Sequence, residues 1–145
     1  MFISTPILYL CRMKNDISTP ADVKLMVDTF YDKVQADGLL GPIFNEVAQV
    51  DWSSHLPIMY TFWENLLLGT ARYNGRPFPK HAPLPVDPTH FMQWVKLFEA
   101  TVDELFMGEK AEEAKGRGRA IALVFMGKMG LLKEEGWAAP ENRIQ

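Results

Sequence analysis

The chain has 145 residues, within the ~100–200 residues usual for one domain and enough to bury most of its apolar surface in a single core. Its formal net charge is −3 with 23% charged residues, which leaves no basic face to attract nucleic acid. A single cysteine, Cys11, excludes an intrachain disulfide framework and suits a reducing, cytoplasmic setting.

Residues 1–13 are apolar, but they lack a basic n-region and a small-residue cleavage site, Pro6 interrupts them, and they are too short to span a bilayer. They read as a tail ahead of a domain over residues 14–135, with a polar tail over 136–145, and no other segment suits a membrane span. Ser18-Thr19-Pro20 places a hydroxyl cap before a proline at the first helical position. From there Val23, Val27, Phe30, Tyr31 and Val34 recur at helical spacing to about Ala36. Leu39 to Phe44 forms an apolar connector of about one helical turn around Gly41-Pro42.

Asp51 can cap a second helix, on which His55, Met59, Phe62, Trp63 and Leu66 share one face; Gly69 stops it. Tyr73 to Pro85 holds four of the ten prolines and cannot be a long helix. Structured loops of that length inside a domain are usually functional. Asp87-Pro88 starts a third helix with Phe91, Trp94, Val95, Phe98, Val102, Leu105 and Phe106 on its apolar face, ended by Gly108. A fourth helix is expected from about Glu109 to Lys133, with Ala114, Ile121, Val124, Phe125, Met129 and Leu132. Its glycines, 116, 118, 127 and 130, weaken it by up to ~1 kcal/mol each relative to Ala or allow close helix packing. No segment alternates as a strand does, so the fold class is all-α.

The three histidines, His55, His81 and His90, carry the chemistry. His81 lies in the proline-braced loop, where an imidazole can ligate a metal through one ring nitrogen while a backbone carbonyl fixes the other. A haem iron needs one such ligand and a flat apolar slot, and the sequence supplies both. Taken alone, His81 also reads as a surface loop residue, and His55, on an apolar helix face, as a hydrogen-bonded core residue. His90, in a first helical turn, reads as structural or exposed. A three-histidine zinc site is disfavoured, because the histidines sit on separate elements without an H-E-x-x-H pair.

Five motifs in order resemble the truncated haemoglobins, specifically their third group. Phe30-Tyr31-Asp32-Lys33-Val34 resembles the family's F-Y-x-x-V segment. Phe44 follows Tyr31 by thirteen residues, as the family's haem-packing aromatic does. Asp51-Trp52-x-x-His55 with Phe62-Trp63 resembles the distal helix, Lys80-His81-Ala82-Pro83-Leu84 the proximal stretch, and Trp94, thirteen residues after His81, the pocket tryptophan.

The resemblance spans roughly residues 14–135 and implies a truncated globin, a two-over-two helical sandwich enclosing haem b. It implies His81 as the proximal iron ligand and Tyr31 and Trp94 as donors to a bound ligand. His55 would be the distal gate, with Met59 over the iron. Phe44, Phe62 and Phe98 would pack the ring, and Arg72, Tyr73, Arg76 and Lys80 are candidate partners of the propionates. The expected function is binding of O2, NO or CO, for oxygen transport or for reactive oxygen and nitrogen chemistry. A haem enzyme with NO dioxygenase or peroxidase-like activity, fed by a reductase in trans, is the alternative. A cofactor-free helical interaction module ranks below both.

Overall fold

Side-chain caps open the helices. The computed structural model describes residues 14–73, 75 and 84–132. Among these residues there are four α-helices, α1 (Pro20–Ala36), α2 (Trp52–Leu68), α3 (Pro88–Leu105) and α4 (Glu109–Lys128), one π-helical turn, Ile43–Val47, and no strand. Thr19 opens α1 with a reciprocal capping box: its hydroxyl accepts the Asp22 N–H, and the Asp22 carboxylate accepts the Thr19 N–H at 3.0 Å. Asp51 caps α2 by accepting the Ser53 N–H at 3.2 Å. Asp87 caps α3 by accepting the Thr89 N–H at 2.8 Å. Gly69, left-handed at φ 68°, closes α2.

The fourth helix is capped from a distance. Gly108, expected to end α3, is instead the N-cap of α4, and α3 stops at Leu105. Glycine has no side chain to satisfy the first amides of α4, so Asp16 supplies one. Its carboxylate accepts the N–H of Lys110 (2.9 Å) and of Ala111 (2.8 Å). The Met107 N–H also donates to the Asn15 carbonyl (3.0 Å). Gly108 has φ 140°, and a Cβ there would collide with the Asp16 carboxyl; only glycine suits the position.

The other end of α4 is also shorter than the expected Lys133. The helix ends at Lys128, because Gly130 turns left-handed at φ 73°. The Leu131 N–H then bonds the Met126 carbonyl and the Gly130 N–H the Gly127 carbonyl, a Schellman end.

Helix α1 packs on α2 and α3, and α4 packs on the same two, giving two layers of two. The inward face of α1 is the one its spacing predicts, with Val23, Val27, Phe30, Tyr31 and Val34 all buried. Phe98 forms the centre, stacked between Trp63 (4.8 Å, 21°) and Trp94 (5.5 Å, 9°), with Phe30 edge-on at 5.2 Å. Close approach of α3 and α4 is permitted at Gly118, where a Cβ would meet the Phe98 ring at 2.8 Å. Val124, counted among the apolar residues of α4, is instead 51% exposed. With glycine at 116, 118 and 127, the helix's apolar residues do not define one stripe. No described helix is long and apolar enough to cross a membrane.

Candidate functional site

The layers leave a cleft between them, walled by α1, the π-helical turn, α2, α3 and α4. Its empty volume, open solvent at the mouth included, is about 950 Å³. Its lining is almost wholly apolar, and the lining residues whose side chains carry a nitrogen or oxygen atom are Tyr31, His90, Trp63 and Trp94.

Five of the expected site residues meet there. Tyr31 comes from α1, Phe44 from the π-helical turn, Met59 and Phe62 from α2, and Trp94 from α3. Tyr31 is 5% exposed. Burial raises its phenol pKa well above the ordinary value, so the hydroxyl keeps its proton and remains a donor. The Trp94 indole N–H is a donor only. Two neutral donors thus belong to one apolar cleft, where a polar group on an occupant finds few other partners.

Behind Tyr31 lies a cluster of rings. Trp52 stacks on Phe44 (5.8 Å, 22°) and sits against Tyr31 (5.4 Å). His55 meets Tyr31 edge-on at 5.7 Å and Trp52 at 5.6 Å. The Trp52 indole N–H donates to Asn45 Oδ1 at 3.0 Å, tying the start of α2 to the π-helical turn.

Other expected residues lie elsewhere. His55 packs on Tyr31 without lining the cleft, and Phe98 is 1% exposed, one layer deeper behind Trp94. Tyr73 touches the cleft indirectly, edge-on to Phe62 at 5.0 Å. Arg72 is exposed. His81, Arg76 and Lys80 lie outside the described residues; Leu84 and Val86, just past that loop, line the cleft.

The sequence reading missed His90, Phe91, Ile121 and Phe125 as wall residues. His90 and Trp94 are four positions apart on α3 and therefore share a face; that spacing was the available signal for His90. Ile121 and Phe125 have the same spacing on α4.

Comparison with known proteins agrees with this geometry. Residues 15–121 match the family model of the bacterial-like globins. The group 3 truncated hemoglobin ctb of Campylobacter jejuni is 34% identical over 117 residues, covering 78% of this chain and 92% of that protein. The crystal structure of group III truncated hemoglobin from Campylobacter jejuni superposes with a TM-score of 0.74, over 86% of this chain and 99% of that one. The chain belongs to the bacterial-like globin family as a group III truncated haemoglobin.

Membership in a globin family implies haem binding and haem-based ligand binding in general. The cleft suits such a group in its chemistry: its walls are aromatic and aliphatic, and its polar atoms are few.

Proposed function

We propose that the cleft holds haem b, with His81 as the iron ligand, and that the loaded protein binds the small diatomic ligands O2, NO and CO. The observation that carries the reading is the pair of donors, Tyr31 and Trp94, brought from different helices into one apolar cleft. When bound, haem supplies an iron centre whose affinity for diatomic ligands the surrounding protein tunes through polarity, hydrogen bonding and access.

The chain's residues provide that tuning. Phe44, Met59 and Phe62 offer apolar surface to the ring and keep water out. Tyr31 and Trp94 donate to a ligand that carries partial negative charge; each hydrogen bond to a charged acceptor contributes about 1.5–3 kcal/mol. His55, packed on Tyr31 and Trp52, controls passage to the ligand side. Tyr73, Arg76 and Lys80 hold the carboxylate edge. Reactive oxygen and nitrogen chemistry, with NO dioxygenase or peroxidase-like turnover, would use the same two donors to polarise an oxygen–oxygen bond, with electrons from a reductase in trans.

The test is a haemin titration of the purified chain. One equivalent should give a Soret band and a ferrous spectrum that responds to CO, and His81→Ala should lose the ferrous spectrum of a histidine-ligated iron. A chain that takes up no haemin would overturn the haem reading; an unchanged spectrum in the variant would overturn His81 alone. Turnover of NO or peroxide with a supplied reductant would favour the enzyme over simple binding.

A further inference from the structure

His90 is out of place in a wall of carbon. It belongs to the first turn of α3, one turn before Trp94, and both line the cleft. Its side chain is only 16% exposed. Among the described lining residues it is the one that can take up a positive charge.

The helix cap fixes its chemistry. His90 Nδ1 accepts the backbone N–H of Asp87 at 3.1 Å, closing the capping box of α3. The same nitrogen lies 3.2 Å from Asp87 Oδ1. With Nδ1 accepting the backbone N–H, the neutral ring carries its proton on Nε2; the protonated ring, paired with the carboxylate, carries one there too. One nitrogen belongs to the cap, and the other is a preset N–H donor on a residue of the cleft wall. An occupant of the cleft that covers this N–H must pair it or bear the cost of its desolvation.

Haem offers few acceptors for that purpose. Its pyrrole nitrogens are committed to the iron, and the rest of the ring is hydrocarbon except for two carboxylates. We propose that His90 is a further binding residue of this cleft: its ring, anchored through Nδ1 to the Asp87 cap, donates from Nε2–H to a carboxylate at the rim of the bound haem. The proposal rests on the haem reading above and adds a residue of α3 to Tyr73, Arg76 and Lys80.

The capping role and the binding role can be separated, because glutamate and glutamine at the same helical position also close a capping box. His90→Glu keeps the cap and sets a negative charge where the proposal needs a donor. His90→Gln keeps both the cap and an N–H donor. The measurement is the affinity of the full-length apo chain for haemin and for haemin dimethyl ester, whose carboxylates are blocked, together with the melting temperature of each apo chain.

His90→Glu should bind haemin about 10–100-fold more weakly than the unsubstituted chain, with ester affinity unchanged within about twofold. His90→Gln should track the unsubstituted chain with both compounds and melt like it. His90→Phe, read by the same acid-to-ester ratio, serves if the glutamate variant does not fold. An unchanged ratio in these variants overturns the role of His90 while leaving haem binding intact. An unsubstituted chain that binds neither compound overturns the haem reading and the His90 proposal with it.

Discussion

Gly118 of α4 lies flush against the ring of Phe98 on α3, so close that a Cβ would stand 2.8 Å from the nearest ring carbon. The ring has little room to yield, because Trp63 and Trp94 stack on its two faces. Gly118→Ala therefore trades a helix-propensity gain of up to ~1 kcal/mol for overpacking of about 1–3 kcal/mol. A net loss of stability is expected, visible as a melting temperature lower by several degrees. Gly116→Ala is the control: its added Cβ meets nothing nearer than Arg119 Nη2 at 3.9 Å, and thermal unfolding should show it neutral or stabilised by up to about 1 kcal/mol.

Asp16 should make stability depend on acid. Burial by itself would raise its pKa, but backbone N–H bonds from Lys110, Ala111 and Ile17 outweigh it and hold the carboxyl below its ordinary 3.8. A carboxylate lowered in the folded state stabilises above its unfolded value, about 3.9, and that contribution is lost as pH falls through the lower folded value. Asp16→Ala should cost about 0.5–2 kcal/mol near neutral pH, as loss of a helix cap does. The gap between Asp16→Asn and the unsubstituted chain should stay constant above about pH 5 and narrow below about pH 4. Urea unfolding at a series of pH values checks both; a gap independent of pH would remove Asp16 from the acid response.

The two donors in the cleft set a kinetic expectation for the haem-loaded protein. Tyr31→Phe and Trp94→Phe should each release O2 about 10–100-fold faster, the equivalent of one hydrogen bond to a charged acceptor. CO, which accepts hydrogen bonds poorly, should respond less. Stopped-flow release rates measure this, and unchanged O2 rates in both variants would remove the donors from the ligand's surroundings.

Thr101 is a buried polar residue in the core, 0% exposed. Its hydroxyl donates back to the Leu97 carbonyl at 2.8 Å, one turn earlier in α3, where the helix already supplies that carbonyl with a partner. Thr101→Val removes donor and desolvation cost together, so the variant should melt at the same temperature or slightly above. Thr101→Ser keeps the hydroxyl but removes a methyl, and should lose about 1 kcal/mol by the cavity it leaves.

Local chemistry made much of this legible in advance. The caps at Thr19, Asp51 and Asp87 are adjacent to the helices they open, and the α1 face was readable because its apolar residues keep one spacing throughout. Tyr31, Phe44, Met59, Phe62 and Trp94 were expected at the site on family resemblance, and each reaches the cleft wall. What escaped depends on depth or distance. Phe98 shares a stripe with Trp94 but lies one layer further in. His90 reads as a helix-start residue until the rotation of α3 turns it to the cleft. Glycines dilute the α4 pattern, so the four-residue spacing of Ile121 and Phe125 did not by itself single out a cleft-facing stripe. The Asp16 cap joins residues 94 positions apart, and no window of sequence shows it.

The indoles of Trp63 and Trp94 both form part of the cleft wall. Any pigment seated there would lie within energy-transfer range of two native fluorophores. The empty protein should glow under ultraviolet excitation and darken in proportion as haem is taken up. The cleft thus carries its own optical gauge of loading, readable without a label.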